Sequence, residues 1–299
     1  MHHGTGAPYL IVAPRGPRMP VVLSSPHSGQ SYPPELLAQA RLAPEKLRAL
    51  DDGPVDELLA RACAAGATLI GATYPRAVVD LNRDADEQDP ATLDLPAAAG
   101  AGLRATLKAR AGLGVVPTRL LGEPIYPRPL SVAELERRIE TAYLPYHVEL
   151  SALAADRRRR FGASLILDCH SMPTLPAGRG ERAIDVALGD RFGRSCHPLL
   201  VEVAERRLTA VGLRVARNRP YAGGHITERH GEPGRGSHAL QIELRRGLFM
   251  DERSHERREG FVALQTALAD LVTALSDALL GLVAAAAPVA ADGRALRSA

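Results

Sequence analysis

Residues 163–167 (ASLIL) form a short, almost wholly apolar run that follows the charged segment AADRRRRFG. A run of that length without alternation fits an interior strand of a parallel or mixed sheet. It ends abruptly in Asp168, Cys169, His170 and Ser171. The carboxyl ends of such strands are where open α/β sheets bind ligands. This segment therefore predicts both a fold class and the place to look for chemistry.

The same pattern recurs along the chain. MPVVLSS predicts a strand that runs into PHSGQSYPP and places His27 just beyond it, while RAVVDLN predicts another strand, with Asn82, Arg83 and Asp84 at its end. HALQIELR carries Glu243, and alternation sets that carboxylate opposite the apolar side chains. Further strands are expected at ATLIGAT, AIDVALG and RVAR, with helices over 44–65 (interrupted at DDGP), near 197–211 and at the C-terminal end. Ser131 followed three residues later by Glu134 is a capping-box signature for a long helix through RRRR. Residues 84–130, rich in Gly and Pro, predict a long excursion over the site with one short helix near 101–110. The expected architecture is a single α/β domain over residues 1–283, with an Ala-rich, frayed tail at 284–299.

Composition narrows the function classes. The net charge is only +3 over 299 residues, and 35 arginines against two lysines are dispersed among 34 acids. Only Arg157 to Arg160 form a dense run, and with no Trp and four Phe there is little to stack on bases, so no nucleic-acid partner is expected. Leu264, Leu268, Leu271, Leu275 and Leu279 repeat at helical spacing, with Asp270 and Asp277 between them. That pattern predicts a packing helix rather than a membrane span. Three distant cysteines, Cys63, Cys169 and Cys196, exclude a disulfide framework and a cysteine-based zinc cage, and with no secretory signal apparent a cytoplasmic protein is expected.

Two imidazoles and a carboxylate are a common ligand set for catalytic zinc, leaving one position for water. His27 and His170 are the natural imidazoles, since each follows apolar strand sequence directly and has small neighbours. His2 and His3 are terminal, His147 and His255 lie in charged helical sequence, and His197 opens a helix; His225, His230 and His238 remain possible substrate contacts. LDDGPVDELL offers Asp51, Asp52 and Asp56, where helix capping competes with metal ligation. Cys169 and His170 are adjacent, so their side chains leave a strand on opposite faces and Cys169 reads as a packed thiol.

The ordered blocks SSPHSGQSYP, DDGPVDEL, YPRAVVDLNRDADEQDP, LILDCHSMP, NRPYAGGHITERHG and HALQIELRRGLFMDE span residues 20 to about 252. This series resembles the N-formylglutamate amidohydrolase family, zinc-dependent deformylases of histidine breakdown. DLNR followed by a late strand Glu is more distantly similar to aspartoacylases and zinc carboxypeptidases. The resemblance implies a three-layer α/β/α sandwich with a central mixed sheet, phosphorylase/hydrolase-like, and one Zn²⁺ per chain, other divalent metals being possible. It implies His27, Asp52 and His170 as metal ligands, with Asp56 as the rival carboxylate and Asp168 orienting a ligand through a hydrogen bond. Glu243 takes the place of the proton-transferring carboxylate, and Arg76 that of the oxyanion stabiliser. Asn82 and Arg83 would grip a substrate carboxylate, with Thr227, His225 or Arg229 as a second anchor. The implied reaction is hydrolysis of N-formyl-L-glutamate, or of a close N-acyl amino acid, by a monomer or small homo-oligomer. The alternatives are a zinc amidase or deacylase on another acylated or peptide-like substrate, and a noncatalytic metal-binding homologue.

Overall fold

The computed structural model describes residues 6–95, 102–176 and 183–286. Seven strands form one mixed sheet: β1 (Tyr9–Val12), β2 (Val21–Ser25), β3 (Thr68–Ala72), β4 (Ser164–Met172), β5 (Val186–Gly189), β6 (Val215–Arg217) and β7 (Ser237–Arg245). Their order across the sheet is β1-β3-β2-β4-β7-β5-β6. The central strands β3, β2, β4 and β7 are mutually parallel, whereas β1 on β3 and β5 on β7 are antiparallel. Every residue of β2, β3 and β4 is buried. Strands covered on both faces need continuous rather than alternating apolar sequence, which is what these segments carry.

Alternation along the strands feeds two cores. Leu165, Leu167 and Cys169 of β4 join Leu240, Ile242 and Leu244 of β7 on one face, against the helices Ala60–Ala65 (α1), Pro198–Ala210 (α4) and Gly260–Ala286 (α6). Ile166 and Ala239 point to the other face, under the helix Leu144–Phe161 (α3) and the excursion over residues 84–130. The result is the expected three-layer arrangement. Phe261, Leu264, Leu268, Leu271, Leu275 and Leu279 of α6 are buried in the first core, so this long apolar helix is a packing element as the leucine spacing predicts.

Three expectations are corrected. RAVVDLN is not a strand: β3 already has a neighbour on each side, and the segment makes turns in which Val78 N donates to Pro75 O and Arg83 N to Asp80 O. Its valines still bury in the second core. The capping-box helix starts on time, with Ser131 Oγ accepting from Glu134 N at 3.2 Å, but a π-helical turn at Ile139–Tyr143 interrupts it just before Pro145. A proline in a helix has no N–H to donate to the preceding turn, and the backbone widens to accommodate the loss. The last helix runs to Ala286, past the expected start of the tail; residues 287–299, like His2 and His3, lie outside the described residues.

His238 of β7 is 5% exposed, and burial, reinforced by the charge of nearby His197, pushes its pKa down to about 4. Because the folded value lies below the ordinary one of 6.5, the stabilisation is complete above pH 6.5. It is lost as pH falls toward 4, by about 3 kcal/mol for this side chain at 1.36 kcal/mol per pKa unit. Denaturant midpoints measured from pH 7 to 4 should fall over that window, and less steeply in His238→Asn; an equal slope in the variant would refute the assignment.

Candidate active site

Parallel pairing of β2 with β4 and of β4 with β7 brings three polar strand ends together. In register, Asp168 lies between Ser24 and Gln241, and His170 lies opposite Glu243. His27 follows β2 directly. Its turn is held close to the chain beyond β3, where a side chain at Gly29 would run into the carbonyl of Tyr74 at 2.0 Å. Asp52 comes from the DDGP break. Its backbone N donates to His27 O at 3.0 Å, and its carbonyl accepts from Ser171 Oγ at 2.7 Å.

His27, Asp52 and His170 are all buried and each presents a ligand atom, all within 4.8 Å of one another. Asp52 Oδ2 is 2.9 Å from His170 Nδ1 and 3.4 Å from His27 Nδ1, and the two rings are tilted with centroids 4.8 Å apart. The outer nitrogens are occupied. His27 Nε2 donates to Asp80 Oδ1 at 2.7 Å and His170 Nε2 to Asp168 Oδ2 at 3.0 Å. In the neutral form of each ring these bonds place the proton on Nε2 and turn the Nδ1 lone pair to the centre, which is how carboxylates orient metal-binding imidazoles. His27 Nδ1 is buried with no hydrogen-bond partner among the described residues. Two imidazole nitrogens and one carboxylate oxygen converging in this way suit a zinc-type divalent ion.

The electrostatics are those of a tightly wound charge cluster. Burial works against the ionised form of Asp52, but the adjacent His170 and His27 rings hold its pKa far below the usual range. Burial likewise opposes protonation of His170, yet Asp168 and Asp52 raise its pKa well above normal. Glu243, 8% exposed, accepts from Gln241 Nε2 at 2.8 Å and is pushed up to about 8, chiefly by burial. Arg245, its alternative ion-pair partner, is bound instead to Asp185. Glu243 is therefore a carboxyl poised near neutral pH beside the three converging donors, without a competing salt bridge.

A cavity of about 490 Å³ opens over this group, lined by His27, Asp52, His170 and Glu243 together with Arg76, Asn82 and Arg83. Arg76 places Nε and Nη2 on Asp80 Oδ2 at 2.9 and 2.7 Å, while Arg83 spans Asp80 and Glu87 at 3.5 and 3.3 Å. Asn82 Nδ2 lies 3.0 Å from His170 Nε2 and donates to Gln241 Oε1 at 3.4 Å, and its Oδ1 accepts from Ile226 N at 2.8 Å. A side chain at Gly224 would strike the Asn82 amide at 2.4 Å, so this glycine lets the loop before the helix His225–His230 (α5) close on the site.

Several expected residues lie elsewhere. Asp56 is outside the donor group; its backbone N donates to Ser28 Oγ at 3.3 Å, and burial pushes its carboxyl up to about 6. Nor does Asp52 cap the helix Val55–Leu58, which has Pro54 at that position. Thr227, His225 and Arg229 do not line the cavity, because GGHITERHG winds into α5 and buries Thr227 against its own Gly224 carbonyl at 2.8 Å. His225 and His230 instead join His147, whose Nε2 donates to Leu81 O at 2.9 Å. The loop contributes Pro220 to Gly224. Asp168, by contrast, lies where it is expected: it shares a face with His170, as residues two apart on a strand do, and meets its Nε2 at 3.0 Å.

The sequence reading missed Asp80 and Arg246. Asp80 precedes the quoted Asn82-Arg83 pair by two residues and was hidden by the expected strand. Arg246 Nη2 donates to Asp51 O at 2.7 Å and Nε to Ser171 Oγ at 3.0 Å, pinning the Asp52 loop from the end of β7.

The family description "N-formylglutamate amidohydrolase" matches residues 19–250. The chain belongs to the N-formylglutamate amidohydrolase family. Within it, curated N-formylglutamate deformylases from Pseudomonas putida and Pseudomonas aeruginosa are 32% identical over 244 residues, covering 79% of this chain and 83% and 84% of theirs. The solved N-formylglutamate amidohydrolase from Ralstonia eutropha JMP134 is similar at 40% identity with a TM-score of 0.85, over 91% of this chain and 98% of that one. A gene product of Agrobacterium tumefaciens shares the fold at 22% identity and a TM-score of 0.62, over 93% and 96% of the two chains.

If Asp80 and Asp168 orient the two rings for a metal, Asp80→Asn and Asp168→Asn should each weaken zinc retention by roughly 10- to 100-fold while leaving the fold intact. Competition against a chromogenic chelator measures this directly; wild-type affinity in both variants would refute the role.

Proposed function

We propose that this protein is a zinc-dependent amidohydrolase that cleaves N-formyl-L-glutamate to formate and L-glutamate. One observation carries the reading: three ligand atoms from distant segments converge within 4.8 Å, two of them on imidazoles whose outer nitrogens rest on buried carboxylates. Membership of the family and the names of its 32% and 40% identical relatives support the substrate.

A divalent ion held by His27, Asp52 and His170 supplies Lewis acidity and a water of lowered pKa. The remaining work belongs to side chains. Glu243 accepts a proton from the attacking water and returns it to the departing amine, a shuttle suited to a carboxyl whose pKa lies near the working pH. Arg76 is braced by Asp80 through Nε and Nη2, which leaves Nη1 to donate to the carbonyl oxygen as it gains charge. Arg83 faces the same cavity and offers its guanidinium to the carboxylate next to the scissile amide. Its ties to Asp80 and Glu87 hold it in place, so little conformational entropy is lost when that carboxylate binds.

Formate release from N-formylglutamate should be lost on chelation and restored by zinc. Glu243→Gln should keep the metal while kcat falls by roughly 10²- to 10⁴-fold, and Arg83→Ala should act mainly on KM. Purified protein that binds no divalent metal and releases no formate would refute the proposal.

A further inference from the structure

The cavity wall carries a cation that forms no salt bridge among the described residues. Of the two lysines, Lys46 pairs with Glu123 at 3.4 Å on the surface. Lys108 lines the mouth of the cavity as an exposed residue, and its ammonium has neither a hydrogen bond nor a salt bridge among the described residues. Each other cation on the cavity wall is engaged: Arg76 with Asp80, Arg83 with Asp80 and Glu87, and Arg246 with Asp51 O and Ser171 Oγ. Partial desolvation and the charges of Arg83 and Arg76 lower the pKa of Lys108, against the opposing pull of Asp80 and Glu87.

Its position is built rather than incidental. Lys108 sits on the short helix Leu107–Arg110 (α2), whose cap, Thr106, donates from Oγ1 to Glu87 Oε1 at 2.7 Å and accepts from Ala109 N at 3.1 Å. The same Glu87 oxygen receives Arg83 Nη1 at 3.3 Å. The backbone of Glu87 accepts from Val115 N at 2.7 Å, and Lys108 O accepts from Leu113 N at 2.8 Å, so the excursion folds back on itself around this corner. One carboxylate thus ties Arg83, next to the metal-side Asn82, to the helix that carries Lys108.

We propose that Lys108 binds the side-chain carboxylate of the substrate and so selects acidic N-acyl amino acids. The assignment rests on the amidohydrolase reading above and adds the second anchor a dicarboxylate needs. Arg83 takes the carboxylate beside the amide. Lys108, a point charge on a flexible stem, takes the one at the far end, where reach matters more than a fixed fork.

The test compares N-formyl-L-glutamate with N-formyl-L-glutamine, which has nearly the same shape without the second charge. In Lys108→Met the ratio of their kcat/KM values should fall about tenfold, the worth of one charge-assisted contact, and Lys108→Arg should recover most of it. An unchanged ratio in Lys108→Met overturns the assignment. If the wild type hydrolyses neither compound, the amidohydrolase reading fails while Lys108 is still decided by calorimetry with L-glutamate and L-glutamine. Glutamate binding about tenfold weaker in Lys108→Met, with glutamine binding unaltered, supports the anchor. Equal binding of glutamate by variant and wild type removes it.

Discussion

A single carboxylate oxygen, Asp52 Oδ2, lies between two imidazole nitrogens contributed by segments far away in the chain. Burying an ionised carboxylate is costly unless charge of the opposite sign meets it. Much of the surrounding structure can be understood as meeting that requirement. The backbone of Asp52 is tied to His27, its carbonyl to Ser171, and the preceding carbonyl to Arg246, so the loop cannot carry the charge away from the rings. Parallel pairing of β2, β4 and β7 supplies the other half of the constraint, since it fixes which strand ends are neighbours before any side chain is placed.

Around that oxygen the polar groups form layers of alternating sign. The imidazoles rest on Asp80 and Asp168, and Asp80 in turn receives Arg76 and Arg83. Asp168 also accepts from Ser24, whose hydroxyl lies 3.0 Å from that of Tyr146 on α3. Each of these buried carboxylates meets partners of complementary character, which holds the cluster in one arrangement and leaves His27 Nδ1 as the buried donor-cluster atom without a hydrogen-bond partner among the described residues. The apolar side chains of the same strands feed the two cores on either side of the sheet.

How legible all this was in the sequence depended on whether the determining interaction was local. His27, His170 and Glu243 could be picked out because each terminates or alternates with an apolar strand run, and strand geometry needs no knowledge of distant partners. From the residues alone Asp52 could be narrowed only to an acidic cluster, and it took the family resemblance to favour it over Asp56, because the choice depends on a turn pinned from β4 and β7. RAVVDLN has the composition of a strand but finds no open sheet edge, a fact about neighbours that the segment itself does not encode. The misplacement of Thr227, His225 and Arg229 has a similar origin: a glycine-rich stretch reads as a loop, whereas Asn82 receives the first N–H groups of α5 and turns those side chains away from the cavity. Lys108 lies in a stretch without sustained periodicity, where residues far apart in the chain decide what faces inward.

The close approach at Gly224 bears on how the protein answers an occupant. Asn82 is gripped on one side by the backbone of the cavity loop and touches His170 on the other. The cavity wall and the ring that faces the donor cluster therefore meet at one side chain. Asn82 is thus common to the cavity wall and to the surroundings of the donor cluster, so a residue lining the space for a small molecule also packs against one of the converging rings.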